Sequence, residues 1–161
     1  MSSTLDKVNE VYAEQNPSNY IRVNKKNLEK LEKNRRNFFV DKLHFPPEMF
    51  KNKELLDLGS GSGLMAFFYQ LWGAKCTLVE YDKNSYLNSL RLFKKFPKKK
   101  YKITKRDLFK FRSKKRYNIV HCSGVLHHTD RQKKGIQIAT KHLRKGGYLI
   151  YGIGNQSGFF Q

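Results

Sequence analysis

The sequence predicts an α/β protein built on a parallel sheet, and three observations carry that prediction. From Glu54 onward, short apolar runs alternate with amphipathic segments. The first of these runs feeds directly into Gly59-Ser60-Gly61-Ser62-Gly63. The chain has 161 residues, which suits one domain around one sheet. Strands that alternate with helices pair in parallel through right-handed crossovers, which places helices on both faces in a doubly wound arrangement.

Taken in order, residues 1–23 are polar with scattered apolar positions, and Val8, Val11 and Tyr12 mark a short helix broken by Asn16-Pro17-Ser18-Asn19. Asn24 is placed to cap a second helix, in which Leu28, Leu31, Arg35 and Phe38 share a face. Pro46-Pro47 forces an extended linker, so residues 1–47 read as an N-terminal helical cap and 48–161 as the core. Within that core, residues 55–58 read as a strand and 64–72 as a helix ended by Gly73 at its C′ position. Residues 76–80 follow as a second strand, 84–96 as an amphipathic helix stopped by Pro97, and 101–104 as a third strand. Residues 117–121 make a fourth strand. Ile136, Ala139 and Leu143 line one face of a helix expected to end at Gly146-Gly147, before a fifth strand over 148–153.

Composition narrows the function classes. No apolar run approaches the roughly 18 to 20 residues of a membrane span. Met1–Asp6 shows neither the basic nor the apolar region of a secretory signal. Cys76 and Cys122 fall in apolar strands with another strand expected between them. Two strand spacings are about 9 to 10 Å, beyond the roughly 7 Å reach of a disulfide. Two buried free thiols and a reducing, cytoplasmic compartment are therefore expected. No Cys/His spacing resembles a zinc site, so no metal is expected.

The net charge is +20, with 24 lysines against 9 arginines. Residues 91–116 alone hold 14 Lys/Arg and a single acid, Asp107. One reading is a weak docking surface for RNA or another polyanion; the other is biased amino-acid usage.

A strand running into a Gly-x-Gly-x-Gly turn and then a helix is a cradle for a nucleotide-like ligand, because glycine lets backbone turn tightly and approach closely. The dinucleotide pattern Gly-x-Gly-x-x-Gly fails: its third glycine would fall at Leu64, and the glycine stands at position 63. Asp57, two residues before the loop, would oppose a pyrophosphate and suit a cationic ligand. Glu80, 21 residues beyond Gly59, ends the second strand where a carboxylate can accept from both hydroxyls of a ribose. Asp107 follows the third strand, where an adenine amino group can be met.

In this order the elements resemble class I S-adenosylmethionine-dependent methyltransferases over residues 50–155, in the small-molecule branch with a Leu-His-His motif. Leu55–Gly63 resembles the first motif, Val79-Glu80-Tyr81-Asp82 the acidic end of the second strand, and Asp107-Leu108 the adenine-binding turn. Tyr117–His128 resembles the fourth-strand motif, and Leu143–Leu149 the turn into the fifth strand. The resemblance implies a Rossmann-like sheet of order 3-2-1-4-5 with N-terminal helices. It implies S-adenosylmethionine as cofactor, held by Asp57, Gly59, Ser60, Gly61, Gly63, Glu80, Tyr81, Asp107, Leu108 and backbone near Cys122. It implies a methyltransferase acting on a small-molecule acceptor. The alternatives are an RNA methyltransferase using the basic face, or a truncated cofactor-binding module without activity. No catalytic residue announces itself; His127 and His128 are either packing residues or a base near the pocket mouth. Tyr12 and Tyr20 are either packing residues or an N-terminal lid, and Trp72 is expected in the core. Asn118 stands where the family commonly has Asp, and the two further strands usual after the fifth are missing, which reads as a truncated chain.

Overall fold

A computed structural model describes residues 24–95 and 101–154. The expected helix at Val8–Tyr12, its break at 16–19, the lid tyrosines Tyr12 and Tyr20, and Phe96 lie outside them. Five parallel strands, β1 (Glu54–Leu58), β2 (Lys75–Glu80), β3 (Tyr101–Lys105), β4 (Tyr117–Ser123) and β5 (Leu143–Gly152), form one sheet in the order β3-β2-β1-β4-β5. The helices are α1 (Lys25–Asn37), α2 (Leu64–Leu71), α3 (Lys83–Lys95) and α4 (Gln132–Lys141). This is the predicted Rossmann-like order. No helix among the described residues is long and apolar enough to cross a membrane.

Alternation along β1 divides the interior. Leu55 packs with Phe67, Phe68, Tyr69, Leu78, Phe93 and Ile119 on one face, joined by Phe39, Phe50 and Trp72. Leu56 and Leu58 pack on the other with Val79, Phe109, Val120, Cys122, Leu126 and Ala139. Strands covered on both faces read as continuous apolar runs, as these do. Cys76 and Cys122 are buried and free, on strands separated by β1.

Three local expectations are corrected. Asn24 does cap α1, in a reciprocal box with Asn27, and Leu28 is buried. Beyond it, however, the chain widens into a π turn at Phe38–Lys42, closed by the Leu43 N–H on the Phe38 carbonyl. The extra residue per turn rotates the face, so Phe39 enters the aromatic core while Arg35 and Phe38 stay exposed. Pro46 is extended as expected, but Pro47 opens a 3-10 turn, Pro47–Phe50, where its missing N–H costs no helical bond. This turn buries Pro47 and Phe50.

The third correction concerns the last helix. It ends at Lys141. Leu143 is the first residue of β5, opposite Tyr117, and the Tyr117 N–H reaches the His142 carbonyl at 2.9 Å. Pairing with β4 captures the chain before the glycines. Gly146 and Gly147 fall instead in a bulge, where four residues, Arg144–Gly147, stand opposite Asn118 between the Tyr117–Leu143 and Ile119–Tyr148 pairs. Gly146 has φ +73° there.

Candidate functional site

The site lies at the carboxyl ends of β1, β2 and β4, where the strand order reverses direction about β1. Open α/β sheets place ligands at such switch points. The chain leaves β1 by crossing β2: Gly59 and Ser60 both donate their N–H to the Val79 carbonyl, at 2.8 and 3.2 Å. Gly63, at φ +77°, then opens α2 without any side-chain cap, which leaves the first amides of that helix available to an anionic group.

The loop is pinned at one residue. The Gly61 N–H donates to Glu80 Oε2 at 2.6 Å, and the Ser89 hydroxyl on α3 donates to the Gly61 carbonyl at 2.9 Å. A Cβ on Gly61 would enter open space, and its φ of +55° is one that glycine adopts without strain. A Cβ on Gly59 would stand 2.5 Å from Val125, so the segment after β4 presses directly on the loop.

Glu80 is the hub of this half. Its Oε1 accepts from the Asp82 N–H at 2.8 Å, and its carbonyl accepts from the Arg106 N–H at 2.8 Å, tying the exit of β3 to the loop. Burial pushes its carboxyl up to about 7, against the amides of Asp82, Gly61 and Tyr81, which hold it down. Asp82 in turn accepts from the Ser85 N–H at 2.6 Å at the start of α3, and Tyr81 is exposed. Asp107 accepts from the Phe109 N–H at 2.7 Å and so caps a 3-10 turn, Leu108–Lys110, whose Leu108 is buried.

Beneath the loop, Asp57 is 1% exposed. His121, its register partner on β4, places Nδ1 2.8 Å from Asp57 Oδ1. Asp57 Oδ2 and Ser60 Oγ are buried with no hydrogen-bond partner among the described residues. Cys122 is buried against the other face, where burial raises its thiol first and the Asp57 charge raises it further.

Past β4 the surface opens. Ser123 and Gly124 are exposed, and the Gly124 N–H reaches the Gly152 carbonyl at 3.0 Å. His127 and His128 sit on a 3-10 turn, Leu126–His128, with ring centroids 4.0 Å apart. The Gly154 N–H donates to His127 Nδ1 at 3.1 Å. Burial, and then the neighbouring His127, hold the His128 imidazole below its ordinary range. A cavity of about 370 Å³ lies elsewhere, lined by Glu48, Met49, Lys51, Lys53, Asn118 and Tyr148 at the amino ends of β1 and β4. That is the end of the sheet opposite to the one that binds ligands in this architecture.

The structure thus joins Gly59, Ser60, Gly61, Gly63 and Glu80 into one hydrogen-bonded unit, sets Tyr81, Asp107 and Leu108 along its β3 side, and puts Asp57 and Cys122 below it. His127 and His128 belong to a separate turn. Sequence reasoning missed Ser89, Val125 and His121. The expected strand order already set β1 beside β4; the register that puts His121 opposite Asp57 is what the sequence did not show.

Comparison with known proteins places this geometry. Residues 31–157 match a family model described as a methyltransferase domain. Magnesium protoporphyrin IX methyltransferase from Synechocystis PCC 6803, solved with bound S-adenosylmethionine, is 13% identical with a TM-score of 0.65, over 89% of this chain and 73% of that one. The T. thermophilus 16S rRNA N2 G1207 methyltransferase is 23% identical with a TM-score of 0.60, over 68% of this chain and 32% of that one. The CcbJ methyltransferase from Streptomyces caelestis is 19% identical with a TM-score of 0.57, over 65% of this chain and 46% of that one. The chain therefore spans less than half the length of several solved proteins it resembles. Among curated proteins, none matches the chain in sequence.

Proposed function

The chain belongs to the methyltransferase-domain family, and from that premise we propose that it transfers a methyl group from S-adenosylmethionine to a small-molecule acceptor. The observation that carries the reading is the Glu80 carboxylate locked to the Gly61 amide at the switch point. A carboxylate offers about four lone-pair sites. The amides of Gly61 and Asp82 take one site on each oxygen, and the lone pairs that the amides leave are the place for the hydroxyls of a ribose. The residues present fit the rest of the donor as well. The uncapped start of α2 suits a carboxylate, the buried Asp57 charge suits an ammonium and a sulfonium, and Asp107 with Leu108 flanks the place of an adenine.

When bound, S-adenosylmethionine supplies a sulfonium-activated methyl group open to in-line displacement. The chain's own part is orientation and exclusion of water. Gly59–Gly63 and Glu80 would hold the donor, and Val125 presses on the loop from the β4 side. No step demands a strong base. His127 has its Nδ1 occupied as an acceptor, so its proton sits on Nε2.

The small-molecule reading rests on His121-Cys122-Ser123-Gly124, which lacks the Asn/Asp-Pro-Pro-aromatic signature of base and glutamine methyltransferases. The protoporphyrin methyltransferase, similar over 89% of the chain, acts by its name on such a molecule. One observation favours RNA as a second reading: Lys102, Lys105, Arg106 and Lys110 are exposed and form no ion pair among the described residues. Titration calorimetry with S-adenosylmethionine and with NAD tests the donor. Binding of the first alone is expected, and tight NAD binding without S-adenosylmethionine binding overturns the proposal. RNA methylated by the purified protein, with affinity falling steeply in salt, promotes the second reading.

A further inference from the structure

The pair formed by Asp57 and His121 has no counterpart in the motifs discussed so far. Asp57 lies on β1 and His121 on β4, opposite each other in register. Both are buried, at 1% and 7% exposure. A carboxylate only accepts, so His121 Nδ1 carries the proton of their 2.8 Å contact. The His121 ring meets the Tyr69 ring edge-on, with centroids 5.3 Å apart. Tyr69 Oη and Asp57 Oδ2 are both buried with no hydrogen-bond partner among the described residues.

The Asp57 charge bears on buried neighbours on both faces of the sheet. After burial itself, it is the next cause that raises the Tyr69 hydroxyl and the thiols of Cys76 and Cys122. A charge this deep acts over distance, because the interior screens it poorly. An unpaired charge at that depth is not tolerated; it is neutralised or it moves. Charge-assisted hydrogen bonds are the ones that keep such a group in place.

We propose that His121 is a positioning residue for donor binding. It holds Asp57 Oδ1 and thereby fixes a negative charge beneath the glycine loop, where the cationic amino-acid end of the donor is read. This rests on the donor reading above and adds to it the residue that keeps the charge in place.

The test is calorimetric titration of the purified chain with S-adenosylmethionine and, separately, with methylthioadenosine, which keeps the adenosine but lacks the ammonium and the sulfonium. His121→Val is expected to weaken S-adenosylmethionine binding by about 10- to 100-fold, the range of a lost hydrogen bond to a charged group, and to leave methylthioadenosine binding within about threefold. His121→Asn, which keeps an N–H donor, is expected to restore most of the loss. Equal weakening of both ligands shows a merely structural residue and overturns the inference, as does His121→Val binding S-adenosylmethionine like the natural chain. Should His121→Val fail to fold, Asp57→Asn and the double variant Asp57→Asn/His121→Val decide the matter, since neither buries an unpaired charge. No loss in the double variant beyond that of Asp57→Asn supports the inference, and a further loss overturns it. Absence of S-adenosylmethionine binding by the natural chain is a different result, because it removes the donor reading itself and this inference with it.

Discussion

The two halves of the sheet's carboxyl edge are built differently. Over β1 and β2, the loop is secured by the chain itself: Gly61 is bonded through both its N–H and its carbonyl, and Glu80 ties the loop to the turns after β2 and β3. Over β4 and β5, the chain is joined by the Gly124–Gly152 and Gly154–His127 contacts, and Ser123, Gly124, His128 and Gly154 are exposed. On the proposed reading, a common donor demands one rigid geometry over β1 and β2, and the open surface over β4 and β5 is left for an acceptor. The contrast teaches that preorganisation is spent where the ligand is constant.

The sharpest way to break this contrast is a matched pair of glycine substitutions. Gly59→Ala forces a side chain into φ +73° and against Val125. The expected loss is about 2–4 kcal/mol, from backbone strain and overpacking together. Gly135→Ala, on α4 below the Leu-His-His turn, meets both Cδ atoms of the buried Leu126, but with no backbone strain. Overpacking of about 1–3 kcal/mol, offset by about 1 kcal/mol because alanine is the better helix former, leaves a net loss of about 2 kcal/mol or less. Urea midpoints at unchanged slope measure both. Equal losses would show that the two halves are held with equal rigidity.

Glu80 gives the next largest effect, and pH exposes it. Its carboxyl is raised from about 4.5 when unfolded to about 7 when folded, so between these values the native state binds the extra proton. Its contribution to stability is therefore fully present below about pH 4.5 and is lost as pH rises through 7. Over that window the natural chain is expected to lose on the order of 3 kcal/mol relative to Glu80→Gln, which cannot titrate. Donor affinity runs the opposite way, rising as the carboxylate forms, and Glu80→Gln is expected to weaken it by about 1–3 kcal/mol. Parallel thermal and calorimetric series from pH 5 to 8 check both signs. Flat difference curves would remove Glu80 as the hub.

Much of this half was legible in the sequence, because its devices are local. Gly59, Gly61 and Gly63 announce a turn needing positive φ, and Glu80 ends a strand at the spacing a ribose needs. The strand order followed from the alternation of elements and the resemblance together. What escaped was set by packing between distant segments. Ser89 is an unremarked polar residue until α3 lies against the loop, and His121 reads as a strand residue until the register of β4 on β1 sets it opposite Asp57. Phe39 replaced Phe38 in the core because a π turn shifts the face, which no 3.6-residue pattern reports. Leu143 left its helix for β5, although it packs with Ile136 and Ala139 all the same.

The smallest expected effect comes from the open half and tests whether it is separate. His127 Nδ1 accepts the Gly154 N–H at 3.1 Å, a contact that pins the exit of β5 to the turn after β4. His127→Ala removes one partly exposed neutral hydrogen bond, worth about 1 kcal/mol, and so lowers the unfolding midpoint slightly. Nothing in that contact reaches Glu80 or Gly61, so S-adenosylmethionine affinity is expected to stay within about twofold. His128→Gln removes an imidazole that burial and then His127 hold below its ordinary range, and it is expected to change neither quantity measurably. Two side-chain contacts join the halves: Val125 against Gly59 and His121 on Asp57. If His127→Ala weakened the donor as much as Glu80→Gln does, the strain would pass through one of these, and Val125→Ala would reproduce the loss if Val125 carries it.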